Sequence, residues 1–217
     1  MDKSMSEIVK IGNATLYHGD CREILPSLPK VDLVLTDPPY GVSNLGSFNS
    51  GGRGWGNFTS DVVNDFVCWD SLAQSDIVKI AINQGETAIV WGGNYFDVPP
   101  SRCWLCWVKP DSVNSQASIE LAWTNMNKNA KHFVLTRNPP PDKAHPTQKP
   151  VRLMEWCLDL APKTTSTVAD PFMGSGTTGV ACANMGKTFY GIERERKYFD
   201  IACERIERAY AQQRLFA

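Results

Sequence analysis

The sequence predicts an α/β protein in which a mostly parallel β-sheet carries helices on both faces. Apolar segments rich in β-branched and aromatic residues alternate with helical segments at both ends of the chain, and this alternation is typical of parallel strands joined by crossover helices. The length of 217 residues allows a substantial core but is short for two domains of ordinary size. We therefore expect one domain over residues 1–217.

Periodicity and turn residues place the individual elements along the chain. The predicted strands are residues 15–17, 31–36, 87–91, 103–108, 119–124, 132–135, 167–169 and 188–192. The predicted helices are residues 21–28, 71–84, 151–160, 177–185 and 195–213. No helix separates the strands between residues 103 and 135, which favours antiparallel strands at one edge of the sheet. Residues 41–60 are rich in Gly, Ser and Asn and are predicted to form a long mobile loop.

Composition and charge limit the class of protein. The chain is 42% hydrophobic and 21% charged, and its apolar runs are much shorter than the ~20 residues of a membrane span. Residues 1–10 are too polar for a signal peptide. The net charge of −1 does not indicate a protein that holds nucleic acid through its overall charge. We expect a cytoplasmic protein without membrane association.

The seven cysteines predict reduced thiols and not a disulfide framework. They are scattered and lie mostly within apolar segments, as is usual in cytoplasmic proteins. Cys103 and Cys106 form a CxxC pair, but neither a second pair nor a nearby histidine completes a zinc site. We therefore expect no metal.

The first motif with chemical content is Asp37-Pro38-Pro39-Tyr40, which directly follows the apolar segment 31–36. Ligands of open α/β sheets bind at the carboxyl ends of the strands, and two consecutive prolines make the turn rigid. The Asp37 carboxylate and the Pro38 carbonyl could each accept a hydrogen bond from one N–H of an aromatic amine. Tyr40 could stack on the aromatic base that carries this amine. The alternative is a strand-ending Asp followed by a stiff turn and a buried Tyr.

A second motif, the glycine loop, extends from Asp170 to Gly179 between a predicted strand and a predicted helix. Gly174 and Gly176 allow a sharp turn and a close approach of the backbone to a ligand. Glu193 follows Gly174 by 19 residues, and a carboxylate there suits the two hydroxyls of a ribose. Because the spacing also satisfies the dinucleotide fingerprint, an NAD-dependent dehydrogenase is an alternative.

Two further features lie between these motifs. His145-Pro146-Thr147-Gln148-Lys149-Pro150 directly precedes the predicted helix at residue 151, and by itself it could be only a stiff helix start. The stretch 128–152 is strongly basic, and it could face phosphates or simply be a solvated surface. The candidate DNA contacts are Arg53, Lys128, Lys131, Arg137 and Lys143.

Together these motifs resemble the β class of DNA amino-methyltransferases. In that family Asp-Pro-Pro-Tyr is the catalytic motif, and residues 18–33 are similar to its usual lead-in. The resemblance covers nearly the whole chain from residue 17 to residue 193, and the catalytic motif precedes the glycine loop, as in the β class. Trp107-Val108-Lys109 departs from the Trp-Asp-Lys that relatives often carry, which puts any role of that Asp in doubt.

The resemblance implies a Rossmann-like, S-adenosylmethionine-dependent methyltransferase fold with permuted motif order, in a bacterial or phage enzyme. A base flipped out of DNA would take the methyl group and leave S-adenosylhomocysteine. Asp and not Ser at position 37 favours N6 of adenine, with N4 of cytosine as the alternative and an RNA methyltransferase as a more distant one. DNA is the expected partner, a homodimer is compatible with the β class, and a small region at about residues 109–144 is expected to recognise the target.

The resemblance also implies residues that hold the cofactor. Asp20 would face the adenine of the cofactor, although Asp20-x-x-Glu23 is also a capping box for the next helix. Thr147 and Lys149 would hold the carboxylate of its methionine end. The full set of implied contacts is Asp20, Cys21, His145, Thr147, Lys149, Asp170, Phe172, Gly174, Ser175, Gly176, Thr177 and Glu193.

Overall fold

One mixed sheet of nine strands organises the part of the chain that the structure describes. The structure, a computed structural model, describes residues 7–40, 75–112, 117–136 and 148–216. The strands are β1 (Glu7–Ile11), β2 (Ala14–His18), β3 (Val31–Thr36), β4 (Gly85–Trp91), β5 (Trp104–Val108), β6 (Ile119–Thr124), β7 (Lys131–Val134), β8 (Thr167–Asp170) and β9 (Thr188–Glu193). The helices are α1 (Cys21–Ile24), α2 (Ser75–Ile82), α3 (Val151–Leu160), α4 (Thr177–Asn184) and α5 (Arg196–Phe216).

The strand order is β1-β2-β9-β8-β3-β4-β6-β5-β7. From β2 to β4 each neighbouring pair is parallel, whereas β6 is antiparallel to both β4 and β5. β7 is parallel to β5, because the chain passes down β6 and returns on the outer side of β5. The expectation of antiparallel strands at this edge is therefore right for β6 and wrong for the β5–β7 pair.

The predicted α/β class is confirmed, and the predicted strands all occur with bounds that differ by at most two residues. β1 is a strand that the sequence did not indicate, because its side chains are mostly exposed and do not alternate clearly. α1 is shorter than predicted and continues as a 3-10 turn over Leu25–Ser27, with Pro26 inside it. The predicted loop 41–60 and the first part of the predicted helix 71–84 lie outside the described residues.

Two buried apolar clusters cover the two faces of the sheet. Within β3, Leu33 and Leu35 belong to one cluster and Val34 belongs to the other, because successive strand side chains point to opposite faces. The first cluster joins the sheet to α3, α4 and α5, and the second joins it to α1 and α2. None of the helices in the described ranges is long and apolar enough to cross a membrane.

The centre of the sheet contains the topological switch point. β3 and β8 are parallel neighbours, with Leu33 opposite Val168 and Val34 opposite Ala169. From β3 the chain continues to β4 on one side, and from β8 it continues to β9 on the other. Ligands of such sheets bind in the crevice at the carboxyl ends of the strands at this point. The catalytic motif and the glycine loop both begin there.

Asp32 is expected to stabilise the fold at the opposite ends of these strands. Its Oδ2 accepts hydrogen bonds from Ser166 N at 2.7 Å, Ser166 Oγ at 2.8 Å and Thr167 N at 2.8 Å, and these bonds lower the pKa of Asp32 to about 2. Because the carboxylate is partly solvated, we expect Asp32→Ala to reduce the free energy of unfolding by about 1–2 kcal/mol at pH 7.

The pH dependence gives this prediction its sign. Because the pKa of Asp32 is lower in the folded protein, the Asp32 carboxylate stabilises the fold fully above the pKa of an unfolded Asp, near 4. This stabilisation is lost as the pH falls towards about 2. Thermal melts at several pH values should therefore show a wild-type advantage that is constant above pH 4 and smaller below it. Asp159→Ala, at an exposed position of α3, is the matched control, and an Asp32 variant that melts like this control would contradict the assignment.

Candidate active site

The predicted catalytic motif, residues 37–40, follows β3 at the carboxyl edge of the sheet. Pro38 and Pro39 are buried, whereas the Asp37 side chain keeps 20% of its exposure and can still be reached from the edge. The Thr36 hydroxyl donates a hydrogen bond to Asp170 Oδ1 at 2.7 Å, which fastens the end of β3 to the end of β8. The rigid turn therefore presents Asp37 beside the glycine loop.

Asp37 lies in a charged, hydrogen-bonded group with Tyr40 and Lys149. The Tyr40 hydroxyl donates to Asp37 Oδ1, and Lys149 Nζ donates to Asp37 Oδ2 at 2.5 Å and to Tyr40 Oη at 3.1 Å. Burial raises the pKa of Asp37, and the Lys149 ammonium opposes this rise. Burial also lowers the pKa of Lys149, but the Asp37 and Glu120 carboxylates outweigh it and hold that pKa well above its usual value. Lys149 is therefore a cation at neutral pH.

The Tyr40 ring belongs to an aromatic group that reaches the surface. It stacks on Tyr95, with the ring centroids 5.1 Å apart and 21° between the planes, and the Phe96 ring approaches edge-on at 6.2 Å. Gly92 has φ +66°, and a Cβ added to it would lie 2.0 Å from Tyr40 Cε1, so this position requires glycine. Tyr95 is 48% exposed, and it therefore provides the outer ring of the stack.

A cleft beside this group is formed by the ends of β2, β8 and β9. Glu193 is 5% exposed; its Oε2 accepts from Gly174 N at 3.0 Å and its Oε1 from Glu195 N at 2.7 Å. Burial raises the pKa of Glu193 to about 7. Across the cleft, Asp20 caps α1 by accepting from Arg22 N at 2.8 Å. The lining residues include Gly19, Asp20, Cys21, Pro39, Phe172 and Glu193.

This cleft fits the nucleoside part of an adenosyl cofactor. The Glu193 and Asp20 carboxylates can accept hydrogen bonds from ribose hydroxyls and an adenine amine, and Phe172 and Pro39 supply apolar contacts for a flat ring. Four of the predicted cofactor contacts, Asp20, Cys21, Phe172 and Glu193, are thus brought together. Burial raises the pKa of Cys21 to about 12, so its thiol stays protonated.

Other predicted cofactor contacts support the glycine loop from inside the fold. The buried Asp170 accepts from Thr178 Oγ1 at 2.6 Å and Phe172 N at 3.1 Å, besides Thr36, and burial raises its pKa to about 6. Arg205 Nη1 donates to Ser175 O at 2.5 Å and Ser175 Oγ at 3.0 Å. It also donates to Thr177 Oγ1 at 3.3 Å. The side chains of Asp170, Ser175 and Thr177 are therefore bonded to other parts of the protein, and their contact with a cofactor stays a prediction.

The two positive-φ glycines shape the loop differently. Gly176 has φ +80°, and a Cβ there would lie 2.9 Å from Ala202 Cβ, so Gly176 permits the close packing of the loop against α5. Gly174 has φ +51° and nothing within 4 Å of an added Cβ, and its N–H is directed at Glu193. Gly174 thus belongs to the cleft, whereas Gly176 belongs to the packing behind it.

Of the segment 145–150, the structure describes the last three residues. His145 and Thr147 lie outside the described residues. Gln148 Oε1 accepts from Ser175 Oγ at 3.2 Å, which links this segment to the glycine loop, as the predicted shared pocket requires. Lys149, predicted to hold the cofactor's carboxylate, has its ammonium at Asp37, and the predicted role stays untested.

Of the predicted DNA contacts, the structure describes Lys128 and Lys131. Arg53, Arg137 and Lys143 lie outside the described residues. Lys131 begins β7, opposite Leu105 near the start of β5, and Lys128 Nζ donates to Leu160 O at the end of α3 at 2.6 Å. These two lysines therefore lie at the amino ends of β5 and β7, the edge opposite Asp37. Their position does not favour the predicted contact with DNA at the catalytic edge.

Sequence reasoning missed several residues of the site. The sequence gives no chemical role to Tyr95, four residues after the predicted strand 87–91, to Glu120, inside the predicted strand 119–124, or to Lys109, directly after the predicted strand 103–108. A lysine directly after one strand and a glutamate early in the next were the available signal for the last two. Among the described residues, no group of three or more His, Cys, Asp or Glu side chains is arranged to hold a metal ion.

The fold and the site define an α/β enzyme with a nucleoside cleft beside a rigid, carboxylate-bearing turn. The family profile of N6/N4 DNA methylases matches residues 69–204, more than half of the chain. The chain belongs to this family of DNA methylases.

Known relatives agree with this assignment. The Type II methyltransferase M.HinfI of Haemophilus influenzae is 25% identical, over 88% of this chain and 68% of its own length. M2.LlaDCHI of Lactococcus lactis subsp. cremoris, also a Type II methyltransferase, is 26% identical over 90% of both chains. The M1.HpyAVI–SAM complex is 26% identical with a TM-score of 0.55, covering 89% of this chain and 98% of that one.

A more distant structure shares the fold. The cytosine-N4-specific PvuII DNA methyltransferase is 16% identical with a TM-score of 0.60, covering 94% of this chain and 93% of its own. This likeness shows the fold alone, and together with the M1.HpyAVI structure it confirms the methyltransferase fold that the family resemblance implied.

Proposed function

We propose that this enzyme transfers the methyl group of S-adenosylmethionine to the exocyclic N6 of adenine in DNA. The observation that carries the proposal is the position of Asp37, on a rigid turn at the switch point, beside a nucleoside cleft closed by Glu193. The M1.HpyAVI complex, which contains SAM, and the family assignment support the cofactor. The choice of adenine depends on Asp at position 37 and on the resemblance stated for it.

The chain's own groups would activate the amine without removing its proton first. An exocyclic amine is a weak nucleophile because its lone pair is delocalised into the ring. Asp37 and the Pro38 carbonyl can accept its two N–H bonds, which favours a pyramidal nitrogen with an available lone pair. As the new N–C bond forms and the S–CH3 bond breaks, positive charge develops on this nitrogen, and the Asp37 carboxylate would stabilise it. The methylated nitrogen would then lose one proton, to Asp37 or to water. The protonated Tyr40 hydroxyl and Lys149 hold that carboxylate in place.

Glu193 and Asp20 would hold the adenosine part of the cofactor, and their negative charge favours a cationic ligand. When bound, S-adenosylmethionine supplies a methyl group on positively charged sulfur, which the amine can attack directly. No cysteine is needed as a nucleophile. Burial keeps Cys21, the thiol at the cleft, in its unreactive protonated form.

The DNA would approach the carboxyl edge of the sheet. The described residues that precede segments 41–74, 113–116 and 137–147 follow the carboxyl ends of three strands: Tyr40 follows β3, Ser112 follows β5 and Thr136 follows β7. Gln148 directly precedes Lys149, which contacts Asp37. The predicted loop 41–60 and the predicted recognition region, about residues 109–144, therefore connect to the catalytic turn. We propose these segments, and not Lys128 or Lys131, as the DNA-binding surface. A single domain, cytoplasmic location and a homodimer are parts of the same proposal.

The product of the reaction tests the proposed function. Purified enzyme, unmethylated duplex DNA and methyl-labelled S-adenosylmethionine are incubated, and the DNA is digested to nucleosides for mass spectrometry. We expect labelled N6-methyladenine. Labelled N4-methylcytosine would overturn the choice of base, and label in a matched RNA but not in DNA would overturn the choice of nucleic acid. A parallel reaction with Asp37→Ala controls for contaminating methyltransferases.

A further inference from the structure

A chain of four alternating charges extends from Asp37 into the protein. Lys149 Nζ lies 2.5 Å from Asp37 Oδ2 and 3.2 Å from Glu120 Oε2. Glu120 Oε1 in turn forms an ion pair with Lys109 Nζ. The Lys149 side chain is 6% exposed and the Lys109 side chain 5%, so both cations are shielded from water. The two carboxylates and two ammonium groups balance in charge.

The β5–β6 hairpin supplies the two members of this chain that the catalytic mechanism has not used. Glu120 is opposite Trp107 in the strand register, and Lys109 N donates to Ser118 O at 2.8 Å, which closes the hairpin at its loop end. The Lys109 ammonium also lies 4.7 Å from the centroid of the Trp107 ring. The backbone of the hairpin therefore fixes Lys109 and Glu120 relative to each other. Glu120 is the member of this pair that contacts Lys149.

The stability of the fold is by itself a weak explanation for this buried group of four charges. Desolvation of buried ions commonly cancels the attraction between them, and apolar side chains of similar size often replace them without loss. A buried charged group in contact with the reacting residue is more often found where a charge must be placed for function. Here Lys149 has two carboxylate neighbours, Asp37 and Glu120, so Asp37 does not compensate its charge alone.

We propose that Glu120 and Lys109 are positioning residues, which act through Lys149 to fix the location and the charge of the Asp37 carboxylate that receives the target amine. Glu120 holds Lys149 through the ion pair at 3.2 Å, and Lys109 compensates the charge of Glu120. The inference rests on the proposed function, because that function makes Asp37 the residue that receives the target amine.

The arrangement predicts opposite effects for the two residues. The ionisable groups that act on Asp37 are Lys149, Tyr40 and Glu120 on β6, and Asp37 itself acts on Asp170 of β8. Glu120 raises the pKa of Asp37 and Lys149 lowers it. Removing the negative charge of Glu120 should therefore make Asp37 easier to ionise. Removing Lys109 should leave Glu120 to attract Lys149 away from Asp37, which should make Asp37 harder to ionise.

The test is an NMR titration of the Asp37 side-chain carbon in protein labelled with ¹³C-aspartate, assigned with Asp37→Asn. We expect Glu120→Gln to lower the pKa of Asp37 and Lys109→Met to raise it, each by about 0.5–1 pH unit. The double variant should return close to the wild-type value, because the two substitutions remove opposite charges. Shifts of the same sign, or no shift in either variant, would overturn the proposal.

Further variants separate positioning from folding. Lys109→Arg keeps the charge and should restore the wild-type titration. If Lys109→Met does not fold, the shift expected for Glu120→Gln carries the test. Glu86→Gln and Lys163→Met, at exposed positions, are the matched controls and should leave the titration unchanged. A Lys109→Arg titration like that of Lys109→Met would show a packing effect and would overturn the proposal.

Methyl transfer gives the second readout. With DNA and S-adenosylmethionine saturating, the acid limb of the single-turnover rate against pH should move in the same two directions as the titration, while calorimetry shows unchanged cofactor affinity. If the wild type methylates nothing, the proposed function fails, but the NMR titration still decides whether this charged chain controls Asp37. Titration shifts without matching rate shifts would overturn the catalytic part of the inference.

Discussion

Replacement of Asp37 with alanine is expected to lower the rate of methyl transfer by between about 100-fold and 10,000-fold. The variant loses the carboxylate that orients the amine and stabilises its developing positive charge. It also leaves Lys149, 6% exposed, as a cation in the place where the amine must become positive. Single-turnover rates with labelled cofactor measure this effect at saturating DNA.

Two controls make the Asp37 result specific. Asp37 is not among the residues that line the nucleoside cleft, so calorimetry should give an affinity for S-adenosylmethionine within about threefold of the wild-type value. Asp37→Asn keeps one carbonyl acceptor without the negative charge, and its rate should fall between those of the wild type and the alanine variant. An alanine variant with near wild-type activity would remove Asp37 from the mechanism.

Replacement of Glu193 with alanine is expected to weaken binding of S-adenosylmethionine by about 10- to 100-fold. Hydrogen bonds to a charged group contribute about 1.5–3 kcal/mol each, and the variant also releases Gly174 N, which Glu193 holds at 3.0 Å. Isothermal titration calorimetry measures the affinity directly. Glu204→Ala, at an exposed position of α5, is the matched control, and unchanged affinity in the Glu193 variant would contradict the ribose-binding role.

The Glu193 prediction includes a pH dependence with a definite sign. Burial raises the pKa of Glu193 to about 7, so the carboxylate is mostly charged at pH 8 and mostly neutral at pH 6. Affinity for the cofactor should therefore fall between pH 8 and pH 6 in the wild type and stay level in Glu193→Ala. The contribution of Glu193 to the stability of the free protein has the opposite sign, since it is complete below about pH 4.5 and is lost as the pH rises through about 7.

Much of the fold could be predicted because local signals and tertiary packing agree along most of the chain. The segments that became β3 and β4 contain the apolar runs Leu33–Leu35 and Ala88–Trp91, as strands covered on both faces require. The prediction failed where a strand is exposed, as in β1, and where strand direction depends on the partner, as in the parallel β5–β7 pair. Periodicity reports burial, and it carries no information on which strand becomes the neighbour.

The site was predicted best where chemistry is concentrated in short motifs. The turn at Asp37 follows a strand and Glu193 is the last residue of one, so their place at the carboxyl edge follows from the α/β class alone. Lys128 and Lys131 have the positive charge that a phosphate contact needs. They lie at or just before the start of β7, however, and β7 starts at the amino edge of the sheet, opposite the turn that bears Asp37. Charge in a sequence does not specify the edge on which it lies.

The sequence by itself determined the class of fold, the turn that bears Asp37, and the order of the catalytic and cofactor motifs, because each depends on residues within one strand or loop. Only the tertiary structure decided that Lys149, Glu120 and Lys109 form a charged chain behind Asp37. Lys149 is 112 positions from Asp37, and Glu120 reaches it from a reversed strand. Pairing between ions depends on distance in space, and the strand order of the folded sheet sets that distance.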